Sequence, residues 1–156
     1  MTVIVYRDGV MAADRQSTIT GVRACQVTKV ARRGSDGALI GVAGDAALAS
    51  AVMRWFLSDE KEPKPPLHFA ADDTKTALAL IVRPDGCVEE HSVSGWAPVE
   101  GPFFAYGSGL EAAIAAFHMG ADAERAVEIT NIVTTGCGMG VDVVRLDGNV
   151  HRIAAA

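Results

Sequence analysis

The stretch that decides the fold is Thr2-Val3-Ile4-Val5-Tyr6-Arg7-Asp8-Gly9-Val10-Met11-Ala12-Ala13-Asp14. Two short apolar runs, Val3–Tyr6 and Val10–Ala13, flank Arg7-Asp8-Gly9. An Asp-Gly pair between such runs is a strong β-hairpin signal, because both turn positions need positive φ. The hairpin therefore starts the chain and carries Thr2 at its head. Methionine is normally trimmed before a small second residue, which would leave Thr2 with a free α-amine beside its own hydroxyl. Such an amine titrates near pH ~8 and can accept a proton at neutral pH. A threonine with a terminal amine is one form of activated nucleophile. Position two alone does not establish this role, since many chains carry threonine there.

Working outward, a second hairpin is expected from about Gly21 to Arg33, and Gly34-Ser35-Asp36-Gly37 reads as the next turn. Ala38–Gly44 is apolar on both faces, as a strand buried on both sides would be. Asp45 is a good N-cap for a helix whose stripe is Leu48, Val52, Trp55 and Phe56. Pro63, Pro65 and Pro66 force an extended connector. A strand over 76–82 turns at Pro84-Asp85-Gly86 into 87–92. Phe103–Tyr106 leads through Gly107-Ser108-Gly109 into a helix carrying Leu110, Ile114 and Phe117, with Gly120 at its C-terminal end. Asp122 caps a further helix with Ala126, Ile129 and Val133 on one face. A last hairpin, 141–146 and 150–153, turns at Asp147-Gly148-Asn149. This order of strands and helices defines an α+β fold with helices outside the sheets. The whole chain, 1–156, is expected to be a single domain.

Composition narrows the function. Apolar residues make up 49% and charged residues 21%, a globular balance. A net charge of −5 argues against nucleic acid or an anionic membrane as partner. Cys25, Cys87 and Cys137 are odd in number and widely spaced, so neither a disulfide framework nor a zinc site is indicated. No apolar run is long enough to span a bilayer, and no signal peptide is evident. A cytoplasmic protein is expected. His68, His91, His118 and His151 lack ligand spacing and read as structural or solvent-facing; no metal or cofactor is expected. Met11, Met53, Met119 and Met139 read as core filler.

Three further places could carry chemistry. Asp14 ends the second strand, and Lys29 sits in the mostly apolar run Val27-Thr28-Lys29-Val30-Ala31. An ammonium near a hydroxyl favours the alkoxide as it forms, and a carboxylate would hold that ammonium charged and aimed. Gly44-Asp45 lies where a buried strand meets a helix start, a place for backbone N–H groups to hold an oxyanion. Ser108 either caps its helix or hydrogen bonds the terminal amine.

Taken in order, Thr2, Arg7-Asp8-Gly9-Val10, Ala12-Ala13-Asp14, Thr28-Lys29-Val30, Gly41-Val42-Ala43-Gly44-Asp45 and Gly107-Ser108-Gly109 resemble the proteasome β-subunit family, with HslV-type peptidases the most similar branch. The likeness covers most of the chain. It implies an N-terminal nucleophile hydrolase fold, a four-layer αββα sandwich of two antiparallel sheets. The first helical layer is shortened here, because the connector leaves too few residues for a second helix. By position, the resemblance implies Thr2 as nucleophile, Lys29 as the group that lowers its hydroxyl pKa, and Asp14 as the residue orienting Lys29. Gly44 would donate the oxyanion-hole N–H, and Ser108 would support the amine. Ser17, Val27, Ala31, Val42 and Ala46 match the walls of the first specificity pocket, which implies apolar residues before the scissile bond. The family carries an acid and a serine where Thr134-Thr135-Gly136-Cys137 stand here.

The resemblance thus implies a self-compartmentalising threonine peptidase: homo-oligomeric stacked rings, peptide or unfolded protein as substrate, and an ATP-dependent unfoldase as a partner that the likeness to HslV allows. The alternatives are a catalytically inactive ring-forming scaffold and a small-molecule amidase using the same nucleophile. The shortened helical layer also implies that the stripe Leu48, Val52, Trp55 and Phe56 is partly uncovered and packs on a neighbouring subunit.

Overall fold

The computed structural model describes residues 1–155; Ala156, the last residue of the expected domain, lies outside the described residues. Its elements in chain order are β1 (Ile4–Arg7), β2 (Val10–Asp14), β3 (Gln16–Ile19), β4 (Val22–Gln26), β5 (Val30–Arg32), β6 (Leu39–Gly44), α1 (Ala46–Leu57), β7 (His68–Phe69), β8 (Asp72–Val82), β9 (Val88–Ser92), β10 (Gly95–Val99), β11 (Phe104–Tyr106), α2 (Leu110–His118), α3 (Ala123–Val133), β12 (Val141–Arg145) and β13 (Val150–Ile153). One sheet has the order β11-β1-β2-β12-β13 and the other β10-β9-β8-β6-β5, with β7 pairing to β8 and β3-β4 as a separate ribbon. Every pairing is antiparallel.

Side-chain alternation builds the layers. Along β1, Val5 joins Val3 in packing under α2 and α3, with Ala113, Phe117 and Val127, while Ile4 and Tyr6 face the other sheet. Along β6 and β8, Leu39, Leu80 and Val82 meet Ile4 and Met11 between the sheets. Ile40, Val42, Ala79 and Ile81 point the opposite way, onto α1. Each central strand is thus buried on both faces, which is why these segments read as unbroken apolar runs rather than alternating ones. The result is the four-layer α+β sandwich: α2 and α3, first sheet, second sheet, α1. Three α-helices occur among the described residues, and none is long and apolar enough to cross a membrane.

The Asp8-Gly9 turn has φ of 50° and 78°, the geometry a two-residue hairpin requires. The N-cap role of Asp45 is as expected: its carboxylate accepts from the Ala47 and Leu48 N–H groups. Four local expectations are corrected. The second hairpin is β3-β4, turning at Thr20-Gly21, so it spans 16–26 rather than 21–33 and only β4 falls in the expected range. β10 was not anticipated, because Trp96, Ala97 and Pro98 lie on an exposed edge strand where no buried face imposes a pattern. Met119 is 88% exposed at the end of α2 and is not core. The α1 stripe is covered within the chain: Val52 and Phe56 are fully buried with Leu67, and the Trp55 indole N–H donates to the Glu62 carbonyl. The connector itself replaces the missing helix as a lid on α1.

Candidate active site

Thr2 enters the first sheet one residue ahead of Val3 and β1, and its main chain is clamped by the segment after β11. The Thr2 N–H donates to Ser108 Oγ at 3.0 Å, and the Gly109 N–H donates to the Thr2 carbonyl at 3.2 Å. Gly107 has φ +95°, and a Cβ there would stand 2.2 Å from the Thr2 carbonyl oxygen. Only glycine lets the two backbones come this close. Ser108 does not cap α2: the N-cap is Gly109, with no side-chain cap bond.

Asp14 ends β2 opposite Val141, wholly buried. Its Oδ1 accepts from the Val3 N–H at 2.9 Å and from Lys29 Nζ at 2.8 Å. Its Oδ2 accepts from the N–H groups of Gln16 at 3.0 Å and Gly138 at 3.2 Å. Four donors thus fill the acceptor sites of this buried carboxylate. Lys29 precedes β5, and its three ammonium protons have three acceptors: Asp14 Oδ1, the Gln16 carbonyl at 2.7 Å and the Met1 carbonyl at 3.3 Å. The Thr2 hydroxyl donates to that same Met1 oxygen at 2.7 Å. Lysine ammonium and threonine hydroxyl therefore converge on one point.

Gly44 closes β6. The Val42 N–H donates to the Lys29 carbonyl and the Asp45 N–H to the Thr76 carbonyl, so strand alternation turns the Gly44 N–H to the Lys29 side. The amides expected to be open at the start of α1 are instead partly used, by Asp45 itself and by Thr76.

A pocket of about 300 Å³ opens between these elements, lined by Thr2, Lys29 and Gly44 among others. Of the five expected wall residues, Ser17, Val27, Val42 and Ala46 line it. Ala31 does not: it pairs with Ile40 further along β5 and packs into the α1 layer. Ala49, Ser50 and Met53 complete the wall instead. Their spacing from Ala46 follows one helical face, a signal present in the sequence once the helix is set against this strand.

The segment Thr134–Gly138 reaches the site through its main chain. The Thr135 carbonyl accepts from Gln16 Nε2 at 3.0 Å, and the Gly138 N–H holds Asp14. Burial raises the pKa of the Cys137 thiol, with Asp14 adding to the effect, so this cysteine is a neutral packing group here. Among the described residues, no three His, Cys, Asp or Glu side chains gather in a way that could hold a metal ion.

Two facing antiparallel sheets lie between helical layers, with Thr2 two residues ahead of the first strand, and this α+β sandwich is the fold of the HslV-type structures the chain resembles. Among solved structures the chain is similar to those of the HslV and proteasome type. Thiobacillus denitrificans BPH in complex with epoxomicin matches with a TM-score of 0.66 and 20% identity, over 93% of this chain and 98% of that one. Eukaryotic HslV from Trypanosoma brucei matches with a TM-score of 0.64 and 21% identity, over 91% and 96%. A further structure of Thiobacillus denitrificans BPH matches with a TM-score of 0.62 and 20% identity, over 93% and 97%. No family model and no curated protein matches the sequence.

Proposed function

We propose that the protein is a self-compartmentalising threonine peptidase of the proteasome and HslV type, cleaving peptide bonds with Thr2 once Met1 has been removed. The observation that carries this reading is the convergence of the Thr2 hydroxyl and the Lys29 ammonium on one carbonyl oxygen, at 2.7 and 3.3 Å, with Asp14 fixing the lysine.

With Met1 gone, the freed Thr2 amine keeps the Ser108 hydroxyl as its neighbour and takes the hydroxyl proton, directly or through a water. Oγ1 then bonds to the substrate carbonyl carbon, and the carbonyl π electrons move to oxygen. Lys29 offsets the charge gathering at Oγ1, and the Gly44 N–H faces the oxyanion. Collapse breaks the C–N bond while the Thr2 ammonium gives its proton to the leaving nitrogen. Water attacks the resulting ester and restores Thr2. The pocket walls Val27, Val42, Ala46, Ala49 and Met53 favour an apolar side chain before the scissile bond.

The same reading carries homo-oligomeric stacked rings in the cytoplasm, with sites facing an inner chamber that an ATP-dependent unfoldase feeds. An inactive ring-forming scaffold is the competing view, because Thr134–Cys137 has no acid or serine. Yet the main chain here still supports the candidate site, through the Thr135 carbonyl and the Gly138 N–H, whatever side chains Thr134–Cys137 carry.

The test is direct. Intact mass should show Met1 absent from the purified protein. Epoxomicin should modify the wild type, while Thr2→Ala should assemble normally and neither react nor cleave peptides. Peptide hydrolysis that survives Thr2→Ala would sink the assignment.

A further inference from the structure

Beside Met1 lies a second hollow, of about 380 Å³, lined by Ser108, Val133, Thr134, Thr135 and Gly136. It shares only Met1 with the pocket over Thr2 and Lys29, so the two are separate hollows that meet at Met1. We infer that in the mature protein this hollow receives the side chain that follows the scissile bond, that it selects uncharged residues, and that Gly136 forms its floor. This rests on the peptidase reading above.

The argument begins at the Thr2 nitrogen. In that mechanism it passes a proton to the leaving nitrogen, which must come within hydrogen-bond range, roughly 3 Å. Met1 is bonded to that same nitrogen, so its atoms mark the space through which the leaving strand departs. The Met1 side chain lies on Gly136: the three atoms nearest to a Cβ built there are Met1 Sδ, Cε and Cβ, at 2.6, 2.7 and 2.9 Å. Removing Met1 therefore clears a seat the size of a long unbranched side chain, continuous with the existing hollow.

Chemistry sets the selection. Once Met1 is gone no lining side chain carries a charge, and the Thr134 hydroxyl is already committed to the Thr130 carbonyl at 2.9 Å. A lysine or aspartate entering here would lose water without gaining an oppositely charged side chain. Methionine or leucine would bury apolar surface against Val133 and the Gly136 backbone.

The experiment uses the mature protein and internally quenched peptides that share one residue before the scissile bond and differ in the next. Methionine and leucine there should give kcat/KM at least about tenfold above aspartate and lysine, the scale of discrimination an apolar pocket provides. Gly136 is outside the positive-φ region, so Gly136→Ala fits the backbone and adds one carbon to the seat. It should lower the ratio of methionine to alanine peptides and leave the preference before the bond in place. Val133→Ala, at an exposed position, should enlarge the hollow and favour phenylalanine or tryptophan. A β-lactone that acylates a hydroxyl without releasing an amine controls for folding, since it should still label Thr2 in both variants. Failure to label wild-type Thr2 overturns the peptidase reading itself. Labelling and cleavage with no dependence on the following residue, or a dependence that neither variant moves, overturns the subsite alone.

Discussion

Lys29 and Asp14 form an ion pair at 2.8 Å with side-chain exposures of 7% and 0%, and the two partners are not equally replaceable. Without the carboxylate, the ammonium and the N–H groups of Val3, Gln16 and Gly138 lose their acceptor together. Without the ammonium, the carboxylate keeps three amide donors. Asp14→Ala should therefore destabilise by about 3–5 kcal/mol, the cost of breaking a buried pair. Lys29→Met should cost less, while abolishing peptide hydrolysis as completely. Urea unfolding of both variants checks the order; equal losses would show that the amides do not support Asp14 as described.

Gly44 stands at φ +104°, and a Cβ there would lie 2.2 Å from the Thr76 carbonyl oxygen. Gly44→Ala should lose at least about 1–3 kcal/mol to backbone strain and push β8 from its register with β6. Exposed Gly34, with open space around it and no positive φ, supplies the control: Gly34→Ala should melt like the wild type. Thermal melting of the pair decides the point.

Ser108 Oγ accepts from the Thr2 N–H and also lies 3.4 Å from the Thr2 carbonyl. Ser108→Ala should cost about 1 kcal/mol in stability, a single hydrogen bond's worth. If the hydroxyl also positions the freed amine, kcat should fall roughly tenfold or more with KM little changed. A fall in stability without a fall in kcat would confine Ser108 to holding the chain.

Acid sensitivity should begin with His91. Burial lowers its pKa below the ordinary 6.5 despite the opposing pull of Glu89, and the ring is stacked on Trp96. Nε2 lies 2.9 Å from Glu89 Oε2 and Nδ1 lies 3.4 Å from Lys64 Nζ, which fits a neutral ring donating to one and accepting from the other. The unfolded chain binds this proton at higher pH than the folded one does, so stability is complete above about pH 6.5 and declines as the pH falls from there towards the folded pKa. Asp36, held near 2 chiefly by its hydrogen bond to Arg33, adds a second loss only in the strongly acid range, below the ordinary carboxylate value. Melting temperatures from pH 7.5 to 5 should fall for the wild type and flatten for His91→Gln.

Much of the architecture could be read because it rests on local signals. Asp8-Gly9, Asp45 and Asp122 each declare a turn or cap through their own chemistry, and Ile40 to Ala43 show two-sided burial directly. Thr2, Asp14 and Lys29 could be picked out in order along the chain, and the structure brings them together: Asp14 holds Lys29, and Lys29 and Thr2 share the Met1 carbonyl. What local signals miss is chain approach at long range. Nothing near Asp14 announces the Gly138 amide, and nothing in β5 says that Ala31 points past the pocket while Met53 reaches it. The cover over α1 escapes local signals for the same reason: an extended connector shields the helix, yet it has no periodicity to betray it.

The four bonds to the Asp14 carboxylate have a consequence for biosynthesis. Three of the donors belong to the first 29 residues, but the fourth is an amide made 124 positions after the aspartate itself. A ribosome must pass Gly138 before that last bond can close. A polypeptide that has not yet reached Gly138 thus carries the Thr2 hydroxyl and the Lys29 ammonium without the finished cradle around Asp14, so the order of synthesis sets when that carboxylate is fully held.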